Sequence, residues 1–124
     1  MKKIIATNNA PGAIGPYSQA IDTGAFVFAS GQIPINPADG TIPTDIKSQT
    51  AQALANVTAI LKEAGLTLDN VVKTTVYLAD MNDFQAMNEV YGQAFTAPYP
   101  ARSAVAVKEL PKKVLVEIEV LAVR

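Results

Sequence analysis

Apolar and polar positions along the chain fall into two periods. From Asp45 to Ala64, the residues Ile46, Ala53, Leu54, Val57, Ile60, Leu61 and Ala64 recur at helical spacing. They predict one long amphipathic helix, which Thr44 or Asp45 can cap and Gly65 can end. Phe84, Met87, Tyr91 and Phe95 mark a second helical stripe that begins after Asp80 or Asn82 and is stopped by the Pro98 to Pro100 region. Elsewhere the pattern is that of strands. Extended runs are predicted at 2–6, 17–22, 25–31, 70–79, 101–107 and 114–123, the run at 70–79 being rich in β-branched residues. Thr23–Gly24 separates the second and third runs at hairpin spacing. The stretch QIPINPADGTIPT at 32–44, with three prolines and the Asp39–Gly40 turn pair, reads as an ordered loop.

Two strand–helix units returning to one mixed sheet predict a single α+β domain over 1–124, with both helices on the same face. The last strand then raises a question about the other face. Val114, Val116, Ile118 and Val120 alternate with Leu115, Glu117, Glu119 and Leu121, and both sets are largely apolar. A sheet covered on one side only does not need a second apolar face. The pattern therefore predicts that a second subunit packs on the open face, with Glu117 or Glu119 drawn into the contact.

Composition narrows the chemistry. The 124 residues are 49% hydrophobic and 17% charged with a formal net charge of −1, and basic residues are doubled only at Lys2–Lys3 and Lys112–Lys113. No stripe is present to follow a phosphate backbone, so nucleic acid is a poor expectation for the partner. No run is long enough for a membrane span, and the opening MKKIIATNNAPGAIGP breaks before a signal-peptide core forms, which predicts a cytoplasmic protein. Two zeros are more restrictive. With no Cys and no His, thiolate nucleophiles, disulfides, Cys/His metal sites and imidazole acid–base catalysis are excluded. Carboxylates, Arg, Lys, hydroxyls and backbone groups remain.

Among these, Glu117 and Glu119 are carboxylates in apolar company and need a partner. The candidate is Arg102, at the start of a strand of small and apolar residues, where an arginine is either a snorkelling surface residue or an anion clamp. Ser30–Gly31 ends a strand with a small residue and a permissive backbone, as an ordinary turn does or as a ligand approaching the main chain requires. Asn88 lies one turn after Phe84 on the edge of the second stripe, facing an interface or simply water. Tyr17 follows Gly15–Pro16 and offers one of few hydroxyl donors, though it fits a plain packing role as well.

The segments IGPYSQAI (14–21), ASGQIPINP (29–37), VVKTTVYLADMNDF (71–84), NEVY (88–91), PARSAVAV (100–107) and VEIEVLAV (116–123), in this order and spacing, resemble the Rid/YjgF family over essentially the whole chain. That resemblance implies a chorismate-mutase-like subunit, a homotrimer whose sheets line a central barrel, and clefts shared between subunits. It implies hydrolysis of short 2-enamino and 2-imino acids to 2-oxo acids and ammonium, with no metal or organic cofactor. On the family pattern Arg102 looks like the carboxylate-binding arginine and Glu117 like the acid that holds or activates water. Tyr17, Ser30, Gly31 and Asn88 look like the pocket lining, joined by Ala104, where the family often has Cys. A segment about three residues shorter at Ala97–Tyr99 is a second departure, which bears on the mouth of the cleft. Two rival readings stand beside this one. The first is a non-catalytic binder of small 2-oxo acids that uses the same arginine. The second is an endoribonuclease or translation inhibitor, which the charge balance and missing histidines disfavour.

Overall fold

The computed structural model describes residues 2–124. Short strands β1 (Lys3–Ile5), β2 (Ala20–Asp22) and β3 (Phe26–Ala29) are followed by helix α1 (Ile46–Glu63). Strand β4 (Val71–Leu78), helix α2 (Phe84–Ala94), β5 (Ala101–Ala106) and β6 (Val116–Val123) complete the chain. The sheet order is β1-β2-β3-β6-β4-β5. Only β4 and β5 run parallel, as a crossover through α2 requires, so the sheet is mixed.

Local chemistry sets the element bounds. Asp45 caps α1 by accepting from the Ser48 N–H at 2.9 Å, which settles the choice between Thr44 and Asp45. Past the end of the helix, Gly65 takes φ +78°, a conformation other residues avoid. Asp80 and a short 3₁₀ turn, Met81–Asp83, lead into α2. The β2–β3 hairpin forms as expected, with Gly24 at φ +99° and its N–H bound to the Asp22 carboxylate. Both strands are shorter than the runs at 17–22 and 25–31. Residues 17–19 leave the ladder because the Gln19 side chain fastens the N-terminal loop, accepting from the Thr7 N–H and donating to the Thr7 and Pro11 carbonyls. The last strand starts at Val116 rather than Val114. Lys112 and Lys113 turn the chain at positive φ just before it, and the Leu115 N–H goes to the Gln49 side chain.

Both helices cover one face of the sheet. Val57, Ile60 and Leu61 from α1 and Met87 from α2 are fully buried, with Val116, Ile118, Val76 and Leu78 of the central strands beneath them. Removing the Ile118 side chain beyond Cβ would cost about 2–5 kcal/mol. The proline-rich loop is ordered, as expected. Asn56 of α1 donates to the Ile33 and Ile35 carbonyls at 3.1 and 2.9 Å, adding to the Ile35 N–H on the first and satisfying the second.

Among the described residues, the opposite face has no helices. Cross-strand register lines up Ile4, Ile21, Phe28 and Leu121 in one row, with Phe26 and Val123 paired beside it. Ile4, Phe26, Phe28 and Val105 are each more than 40% exposed there. The two-sided apolar character expected of the last strand thus extends over much of the sheet. No helix of the described residues is long and apolar enough to cross a membrane.

Candidate active site

Arg102 lies on edge strand β5, paired with Thr74 of β4. Paired residues share a face, and Thr74 is buried under α2 with its hydroxyl 2.7 Å from that of Tyr91. Arg102 therefore points to the helix side. Its Nη1 donates to Asn88 Oδ1 at 2.6 Å, and its guanidinium carbon stands 4.8 Å from the centre of the Tyr91 ring and 5.4 Å from that of Phe84. Neutral and π partners fix the group without cancelling its charge, so its remaining donors can take an anion. A cleft of about 450 Å³ opens here, lined by Asn88, Tyr91, Gly92, Tyr99, Pro100 and Arg102. Ala104, two residues on and on the same face, is half-buried against the core.

The carboxylates lie on the other side. Glu117 pairs with Tyr77 of β4 and Glu119 with Thr75, all on the open face. Burial first, and the Glu119 charge second, push Glu117 above its ordinary 4.5. Glu117 has no hydrogen-bond partner among the described residues, whereas Glu119 accepts from the Tyr77 hydroxyl at 2.9 Å. Gly31 is held beside β6 by two backbone bonds between Gln32 and Ile118. A Cβ at residue 31 would run into the Glu117 side chain, so here the glycine serves close approach rather than an unusual φ. Ser30 Oγ donates to the Ser18 carbonyl at 2.6 Å, and the Tyr17 hydroxyl accepts from the Ile14 N–H at 3.4 Å. Tyr17 and Ser30 share an open-face cleft of about 620 Å³ with Lys2, Lys73, Thr75 and Glu119.

The expected residues thus fall into two groups: Arg102, Asn88 and Ala104 on the helix side, and Tyr17, Ser30, Gly31 and Glu117 on the open side. One expectation is corrected. Within one subunit Arg102 is not the partner of either glutamate, because strand register turns it to the opposite face. The sequence reading also missed the rings of Phe84 and Tyr91 beneath Arg102, and the Tyr77 hydroxyl on Glu119. The helical stripe carried a signal for the first two. For the third, the strand alternation of Lys73, Thr75 and Tyr77 carried one.

Fold and site together define a class of small α+β subunit that carries a held arginine on one side of its sheet and a half-buried acid on the other. The chain belongs to the Rid/YjgF family, and the family model described as Endoribonuclease L-PSP matches residues 7–124. It is 58% identical to a RutC family protein of Pyrococcus horikoshii, with 98% of each chain covered. It is 52% identical to the 2-iminobutanoate/2-iminopropanoate deaminase of Escherichia coli, with 100% of this chain and 99% of the other covered. That alignment runs over 127 positions against the 124 residues here, in keeping with a shortened segment. The crystal structure of E. coli TdcF with bound serine superposes with a TM-score of 0.96 at 53% identity, covering 98% of both chains.

Proposed function

We propose that this protein is a deaminase that hydrolyses short 2-imino acids, formed from enamines such as 2-aminoacrylate and 2-aminocrotonate, to 2-oxo acids and ammonium. Its active site is assembled between neighbouring copies of a homotrimer. The observation that carries this reading is the separation of Arg102 and Glu117 onto opposite faces of one sheet. Each holds half of the chemistry, and a second copy packed on the apolar open face can bring its own Arg102 to Glu117. A named deaminase among the close relatives, and a bound amino acid in another, support the same substrate class.

In the assembled site Arg102 grips the substrate carboxylate through two parallel N–H bonds and fixes its plane. Glu117 takes a proton from water as the oxygen bonds to the carbon of the protonated imine, which gives a carbinolamine, and returns that proton to its nitrogen. As the C–N bond breaks, the carbinolamine hydroxyl gives its own proton to Glu117 and becomes the carbonyl, so that ammonia leaves and the 2-oxo acid remains. A site that favours protonated Glu117 also suits the prior step, protonation of the enamine carbon to give the imine. The uncatalysed reaction already proceeds in water, so one clamp and one acid–base group, worth roughly 10² to 10⁴ in rate, are enough.

The family model's description names an endoribonuclease. A net charge of −1 and two carboxylates on the open face disfavour a polyphosphate ligand. The test is to generate the enamine with a serine or threonine dehydratase and follow its decay with and without the protein. Acceleration that Arg102→Lys removes supports the reading, and equal decay with and without protein overturns it.

A further inference from the structure

The open face holds a second carboxylate with a dedicated partner that the mechanism above does not use. Glu119 and Glu117 are two residues apart on β6, so both side chains rise from the same face about 7 Å apart along the strand. Tyr77 stands on the neighbouring strand β4. It is paired by register with Glu117, yet its hydroxyl donates to Glu119 Oε1 at 2.9 Å. We propose that Tyr77 and Glu119 form a positioning pair that holds a fixed negative charge beside Glu117, so that the acid–base group of the site is governed by its neighbour on the strand. This rests on the deaminase reading for the role of Glu117, and it assigns Tyr77 and Glu119 no contact with substrate.

Three observations support it. First, the hydroxyl that could have stabilised a charged Glu117 is spent on Glu119 instead, and Glu119 in turn raises the Tyr77 phenol above its ordinary 10.0, keeping it a donor. Second, little else on this face opposes the effect. From β3 come Phe26 and Phe28, from β5 Ser103 and Val105, and from the loop beside β6 the bare backbone of Gly31. Tyr17 of the N-terminal loop and Lys2 lie along the cleft that Glu119 lines. Lys73 of β4 donates to Ser103 Oγ and the Thr74 carbonyl rather than to either glutamate. Third, among the described residues the Glu119 charge acts on Glu117 in the same direction as its burial. An Arg102 from a second copy would act in the opposite direction, so the informative quantity is the difference between variants.

The experiment has two readouts. Assign as the Glu117 limb whichever limb of the kcat/KM–pH profile disappears in Glu117→Gln. In Glu119→Gln that limb should move to lower pH, with KM and the plateau kcat unchanged within about threefold. Tyr77→Phe keeps the ring and should move the limb the same way but less far, since the unheld carboxylate swings toward water. The double variant should move it no further than Glu119→Gln alone, and Glu119→Asp, which keeps the charge, should restore part of the shift. The second readout is carbon-13 NMR titration of the Glu117 carboxyl in the intact protein, which needs no turnover. A limb and a titration unmoved in both Glu119→Gln and Tyr77→Phe overturn the proposal. So does a loss of turnover in Glu119→Gln equal to that in Glu117→Gln, which would make Glu119 a reacting group itself. If instead the wild-type protein accelerates no enamine decay, the deaminase reading fails while the titration still decides whether the pair acts on Glu117.

Discussion

The two halves of the candidate site solve opposite electrostatic problems. At the edge of the sheet, Arg102 is surrounded by an amide oxygen and two aromatic rings, partners that hold a cation in place and leave it a cation. On the open face, Glu117 sits against a glycine, half removed from water and next to a second carboxylate, an environment that works against its charge. One charge is stabilised and oriented, the other is left in want of a partner. Neither can satisfy the other within a subunit, because they stand on opposite faces. On the proposed function, each is kept for something outside the subunit, namely a substrate and a second copy.

The strongest way to break this comparison is to separate the two halves genetically. Arg102→Ala and Glu117→Gln should each lose roughly 10²-fold or more in kcat/KM. Co-expressed in equal amounts, they should recover activity to about a quarter of wild type, because randomly mixed copies leave that share of shared sites with both halves intact. No recovery would place both residues in one subunit's site. Light scattering of each variant should give about three times the 13.1 kDa subunit mass.

A second, smaller effect is expected at Gly31. Because the added methyl meets the side chain of Glu117 rather than backbone, Gly31→Ala should displace the acid and lower kcat by about tenfold, while the thermal midpoint moves by only a few degrees. A fall in KM without a fall in kcat would contradict the assignment.

Stability sharpens the contrast further. A carboxyl whose proton is held more tightly folded than unfolded loses stability as pH rises through the folded value. Glu117→Gln should therefore melt above the wild type at neutral pH, and the gap should close as pH falls toward the ordinary 4.5. An absent gap would mean that the Arg102 of a second copy already neutralises the charge.

Outside the site the expected effect is smallest. Arg124 joins the Asp22 carboxylate at 2.5 Å and the Ala64 carbonyl at 2.7 Å, tying the last strand to β2 and to the end of α1. Its hydrogen bond, with that of the Gly24 N–H, lowers the Asp22 carboxyl, so this support is present above 3.8 and fades as pH falls below it. Arg124→Gln should narrow the stable range on the acid side, read as the pH midpoint of unfolding, and leave turnover unchanged.

How far these features were legible from the chain depends on the distance over which they are decided. Alternation along one strand placed Glu117 and Glu119 together, and periodicity along one helix marked Met87 and Tyr91, because both are properties of a few consecutive residues. Pairing between strands is decided elsewhere. The orientation of Arg102 depends on its register with Thr74, and a slip of one residue would turn it to the glutamates, so local spacing could not distinguish the two faces. The bond from Tyr77 to Glu119 spans two strands in the same way. The late start of the strand expected at 17–22 has another cause. The Gln19 amide draws the loop away from the ladder through bonds to residues 7 and 11, a competition that β-propensity does not express.

The bare backbone at residue 31 has a consequence for descent. Every substitution of a glycine adds at least one carbon, and at this position that carbon occupies space already taken by a side chain from a distant part of the chain. Residues 31 and 117 therefore cannot drift independently. A lineage that keeps the glutamate in its place is held to the glycine, because even one added carbon at 31 turns the acid aside. Once a larger residue has become fixed there, the original placement of the acid returns only with the glycine.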